Sequence, residues 1–99
     1  MNIEYVCHQM NVNIFEFRDL LKETLKFYNM EDVNEDEKIF LFVLAKIRDL
    51  NSDEFNMYQI GNKVKVTDGK TSLDLPYDER FYENLFIFLE KMNLNYTLR

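Results

Sequence analysis

"NKVKVTDGKTSLDLP", residues 62–76, decides the fold, because it reads as two β-runs joined by Asp68-Gly69. An Asp-Gly pair between β-forming runs is a strong short-range hairpin signal, since a type I′ turn needs φ > 0 at both central residues. With those two residues as the turn, the register follows. Thr67 faces Lys70, Val66 faces Thr71, Lys65 faces Ser72, Val64 faces Leu73, and Lys63 faces Asp74. Val64, Val66, Thr71 and Leu73 then share the core face, and the lysines share the other with Ser72 and Asp74. Lys63, Lys65 and Lys70 read as the wet side of a hairpin, with Lys63 answered across the ladder by Asp74.

Outward from the hairpin, "FNMYQI" (residues 55–60) adds a third strand if the chain turns at Gly61-Asn62. Pro76 ends the sheet, and Asp78 is placed to cap a helix over 78–92, where Phe81, Leu85, Phe88, Leu89 and Met92 repeat at helical spacing. Upstream, Asn34 and Glu37 have the spacing of a capping box, in which each side chain satisfies the other's free backbone N–H. They precede "KIFLFVLAKIRDL", whose seven consecutive apolar residues fit a buried strand or a helix covered on all sides; length, the cap and the following "KIRDL" favour a helix over 35–50. Asn13 and Glu16 repeat the box before a stripe of Phe17, Leu20, Leu21, Leu25 and Tyr28, which predicts an amphipathic helix over 14–29. Residues 3–7 fit a short strand or a helical lead-in, and the tail "NLNYTLR" fits a paired strand or a frayed end. The expected class is α+β in the order α-α-β-β-α, with three helices packed on one face of a small antiparallel sheet of two or three strands.

Ninety-nine residues, 46% hydrophobic with nine Phe and six Tyr, make one compact domain over 1–99 with ample material for its core. Few Gly, Pro and Ala, beside plentiful Asn, Lys, Ile, Phe and Tyr, give the chain a phage-like or low-GC character. A single cysteine, Cys7, forms no internal disulfide, and the N-terminus has neither a basic leader nor a long apolar run. Those features predict a cytoplasmic protein with no membrane segment.

Chemistry is short of parts. One Cys and one His, adjacent at 7 and 8, diverge on either a strand or a helix, so they make neither a catalytic pair nor a zinc site. Cys7 reads as a buried thiol and His8 as a surface imidazole. Gly61 and Gly69 are the only glycines, which leaves no phosphate-cradling loop. Asp32, Asp36 and Glu37 miss the spacing of a calcium-binding loop. The chain is therefore read as non-enzymatic, with no cofactor and no metal. A hydrolase relying on a close carboxylate pair is the enzyme class it would otherwise fit.

Net charge is −6, from 18 acidic and 12 basic residues. "EDVNEDE" (residues 31–37) holds five of the acids: Glu31, Asp32, Glu35, Asp36 and Glu37. Such a run solvates a helix start and favours the macrodipole, and it also suits a basic partner surface. Asp49, Asp53, Glu54, Asp78 and Glu79 extend the patch if the helix ends lie together. Fifteen aromatic residues exceed what a small core needs, and Tyr77, Tyr82 and Tyr96 are the rings best suited to a contact surface. The first expectation is an acidic protein-binding module of inhibitor, immunity or regulatory type. Its partner would be a protein with a basic surface, such as a nucleic-acid-binding protein; a homo-oligomer is compatible with this. The alternative is a winged-helix-like nucleic-acid binder using the 63–75 hairpin as its wing, with Lys63, Lys65 and Lys70 on phosphates, which the acidic balance opposes.

Overall fold

A computed structural model describes residues 2–28 and 34–98. The elements are α1 (Asn2–Met10), α2 (Ile14–Tyr28), α3 (Glu35–Leu50), β1 (Asn56–Ile60), β2 (Lys63–Thr67), β3 (Ser72–Pro76) and α4 (Phe81–Lys91). The class is α+β, with four helices rather than three and an antiparallel sheet in the order β1-β2-β3. Residues 3–7 are helical, and "FNMYQI" supplies the third strand.

Both Asn-led helix starts form. Asn13 Oδ1 accepts the Glu16 N–H at 2.9 Å, and Asn34 Oδ1 accepts the Glu37 N–H at 2.9 Å. The return bond differs from a capping box: each glutamate accepts from the asparagine side-chain amide, at 2.9 Å for Glu16 and 3.3 Å for Glu37. At the other ends, α1 and α4 stop on left-handed residues, Asn11 (φ 56°) and Asn93 (φ 57°). Val12 N–H bonds to Cys7 C=O and Asn11 N–H to His8 C=O, and the same pair of bonds recurs from Leu94 to Leu89 and from Asn93 to Glu90. These are Schellman caps, with asparagine in the place glycine usually takes.

The 62–76 hairpin closes differently from the Asp-Gly expectation. Type I′ requires positive φ at both turn residues, yet only Gly69 (φ 95°) has it. The Asp68 carboxylate instead accepts the N–H groups of Lys70 (2.9 Å) and Thr71 (2.7 Å), and Thr71 C=O takes the Asp68 N–H. The connection is four residues long, and the register moves by two. Thr67 pairs with Ser72, Val66 with Leu73, Lys65 with Asp74, Val64 with Leu75, and Lys63 with Pro76. A shift of two preserves side-chain parity, so Val64 and Val66 remain fully buried. The partners change, however. Leu75 is the buried residue of β3, Leu73 is 45% exposed, Thr71 is exposed in the turn, and Asp74 answers Lys65 rather than Lys63.

The β1–β2 connection is the tight one. Ile60 pairs with Lys63 across Gly61-Asn62, and positive φ at Gly61 (62°) without positive φ at Asn62 matches the signs of a type II′ turn. Met57, Val64, Val66 and Leu75 point into a continuous core with Phe17, Phe42, Ile47, Phe55, Phe81 and Leu89. α2 packs on α3, α1 bridges α2 and α4, α3 lies along β1, and α4 covers β3. The helices occupy one face of the sheet. The opposite face, carrying Tyr58, Ile60, Lys63, Lys65 and Asp74, is left uncovered by the described residues.

The seven-residue apolar run of α3 is covered on most sides but not all. Ile39, Phe42 and Val43 are buried, while Phe40, Leu41, Leu44 and Ala45 are half-buried. α4 begins three residues later than expected. Asp78 does not cap it; the Asp78 carboxylate accepts the Arg80 N–H (2.9 Å) in a turn that leads into the helix. The tail is neither a ladder strand nor frayed. Asn51 Oδ1 accepts the Asn95 N–H and Asn51 Nδ2 donates to Asn95 C=O, both at 2.8 Å, while Leu98 N–H reaches Met10 C=O. Leu94, Tyr96 and Leu98 pack against the core.

Candidate interaction site

The first turn of α3 places Glu35, Asp36 and Glu37 in solvent, and one turn later the helix turns Phe40 and Leu41 toward the end of the sheet. Tyr77 meets them there. Its backbone N–H bonds to Asn62 C=O, and its ring contacts Phe40 edge-on at 6.0 Å and Phe81 at 5.2 Å. Glu37, Phe40, Leu41, Gln59 and Tyr77 together line a groove of about 200 Å³. The groove therefore has an aromatic and aliphatic floor and an acidic rim. Burial raises the Tyr77 phenol above its ordinary pKa, helped by the negative charges of Asp36 and Glu37.

The structure divides the acidic residues expected to form one patch. Asp36 acts electrostatically on Tyr77, Glu35 lies on the other side of α3, toward α2, and Asp78 and Glu79 follow Tyr77 directly, exposed on the turn before α4. Asp53 and Glu54 belong to the other end of α3, about 24 Å along a helix of sixteen residues. There Arg48 donates to Asp53 C=O at 3.3 Å, and the Glu54 side chain packs against Gly69. Glu31 and Asp32, with the side chains of Leu25 and Tyr28, lie outside the described residues.

Of the three tyrosines, Tyr77 and Tyr96 are half-buried and Tyr82 is 3% exposed. Tyr82 is a core residue, facing inward from the first turn of α4, and its hydroxyl has no hydrogen-bond partner among the described residues. Burial, with lesser help from Tyr77 and Asp36, holds that phenol far above its ordinary pKa. Tyr96 donates to Glu90 at 2.8 Å and stacks edge-on with Phe86. The exposed rings among the described residues are instead Phe15 (78%) and Tyr58 (43%). Tyr58 was legible in outline: once Met57 points inward, strand alternation turns Tyr58 and Ile60 outward. Phe15 had no such signal.

The lysines of the hairpin do not form one finger. Lys63 and Lys65 lie on the open face of the sheet, whereas Lys70 is in the four-residue turn at the far end of the strand pair. Cys7 is buried, which raises its thiol pKa, and His8 is exposed. Among the described residues no group of three His, Cys, Asp or Glu is placed to hold a metal ion, and no helix is long and apolar enough to cross a membrane. No family model, curated protein or solved structure matches the chain.

Proposed function

We propose that this chain is an acidic, non-enzymatic protein-binding module, an inhibitor, immunity or regulatory factor of phage-like character acting in the cytoplasm. It docks the Tyr77 groove and the start of α3 on a basic surface of its partner. The observation that carries this reading is the meeting of Glu37, Phe40, Leu41 and Tyr77 in one groove, with exposed Asp36 acting on Tyr77. A lysine or arginine of the partner lays its aliphatic stem along Leu41 and Phe40 and brings its charge to the Tyr77 ring and the carboxylates. The surrounding acids speed encounter and reject acidic competitors more than they deepen affinity.

Affinity capture from the native host tests this. Asp36→Lys with Glu37→Lys should lose the partner at least tenfold relative to wild type, while Asp49→Lys, at the other end of α3, should retain it. Equal capture by the groove variant, or capture of acidic proteins alone, would count against the reading.

The uncovered sheet face favours a second reading. Tyr58 and Ile60 lie opposite Lys65 and Lys63 there, so an aromatic ring and two cations share one surface. A nucleic-acid strand would use them as platform and phosphate contacts. Asp74 beside Lys65 and the overall negative charge weigh against it. A gel shift at low salt that weakens with Lys63→Ala would reverse the order of the two readings.

A further inference from the structure

We infer that a second cleft, opposite in charge to the groove, binds an acidic peptide segment of a partner protein. The cleft lies among α1, α2 and α3, encloses about 330 Å³, and is lined by Ile3, Arg18, Leu21, Lys22, Glu35 and Lys38. Three cations thus face one carboxylate, in a chain that carries 18 acids against 12 bases. None of the three has an ion-pair partner among the described residues, where the pairs are Lys46–Asp49, Arg48–Asp53 and Arg80–Glu83. Other exposed lysines are also unpaired; convergence on one cleft sets these apart. Arg18 and Lys22 stand one turn apart on α2, and Lys38 rises from α3.

The lining decides the class of occupant. Ile3 and Leu21 are 5% and 8% exposed and form an apolar floor between the cations. A bare inorganic anion would engage the cations and leave that floor uncovered. A nucleic-acid strand would find no aromatic ring among the lining residues to stack on. An acidic peptide with an aliphatic side chain meets both demands, with carboxylates on Arg18, Lys22 and Lys38 and the aliphatic group over Ile3 and Leu21. The linings share no residue, and on α3, at 100° per residue, Glu35 faces roughly 120–160° away from Glu37, Phe40 and Leu41. The cleft and the groove are therefore separate, and both can be filled at once.

The test titrates the ¹⁵N-labelled full chain with a blocked Glu-Glu-Leu-Glu-Glu peptide. Amides of Ile3, Arg18, Lys22 and Lys38 should shift, and the binding should weaken as salt rises. Arg18→Glu with Lys22→Glu, both at exposed positions, should weaken it at least tenfold, Lys22→Gln by less, and Lys63→Glu with Lys65→Glu should leave it unchanged. Each of these outcomes would overturn the inference: no shifts in the cleft, shifts centred on Lys63 and Lys65, binding undiminished in both α2 variants, or a single-stranded oligothymidylate moving the same amides at lower concentration than the peptide.

Discussion

Tyr82 carries a phenol hydroxyl into the core and, among the described residues, gives it no partner, against the general rule that buried polar groups are bonded. Removing the oxygen removes a desolvation cost without losing a bond, so Tyr82→Phe should be neutral or stabilising by about 1 kcal/mol at neutral pH. Thermal melts would check this. The raised pKa also fixes a sign. The folded state holds the proton more tightly, so the related stability is fully present below the ordinary value of 10.0 and is lost as pH rises beyond it. Alkaline unfolding should begin later in Tyr82→Phe. Asp68 works in the opposite sense. The N–H groups of Thr71 and Lys70 hold its pKa below the ordinary value of 3.8, so the hairpin gains stability above that value and loses it as pH falls through the depressed one. Asp68→Asn keeps an acceptor oxygen and removes the titration. Turn amides followed by NMR should show an acid-induced loosening in wild type that is absent in the variant.

At the scale of elements, both glycines sit in turns with positive φ, yet their surroundings differ. A Cβ on Gly61 would meet nothing within 4 Å, whereas one on Gly69 would stand 2.9 Å from Glu54 Cβ. Gly69→Asn should therefore cost about 1–3 kcal/mol, and Gly61→Asn clearly less, as denaturant melts would report. Asn51 joins two elements. Besides clasping Asn95, its side-chain amide and its backbone N–H both donate to Ile47 C=O at the end of α3. Asn51→Ala should cost about 1–3 kcal/mol and speed hydrogen exchange at Asn95 and Leu98. These details explain what the sequence disclosed and what it withheld. Helix α2 was legible because apolar period and an asparagine start signal agree, α3 because a start signal precedes a segment too long for one strand, and the faces of Val64 and Val66 because parity survives a shift of two. The register was not, because it turned on whether Asp68 would offer its backbone or its carboxylate to the turn. The tail was not, because a single asparagine side chain 44 residues away supplies its ladder. In the candidate site, Asp36, Glu37 and Tyr77 could be named in advance, as members of an acidic run and as a contact ring. Phe40 and Leu41 could not, since a continuous apolar run does not say which of its members the fold leaves half-covered.

The whole molecule keeps its charges apart. An acidic, aromatic-floored groove and a basic, aliphatic-floored cleft flank the same stretch of α3, and an uncovered sheet face lies away from the helices. A chain of net charge −6 should bind a basic partner with an association rate that falls as salt rises, and stopped-flow measurements on wild type and Asp36→Lys/Glu37→Lys would show a shallower salt dependence in the variant. The most direct test of the account is to map, by amide chemical shifts or hydrogen exchange, the footprint of the partner captured from the host. The footprint should centre on Glu37, Phe40, Leu41, Gln59 and Tyr77; one centred on Tyr58, Ile60, Lys63 and Lys65, with the groove unaffected, would rule out docking through the groove.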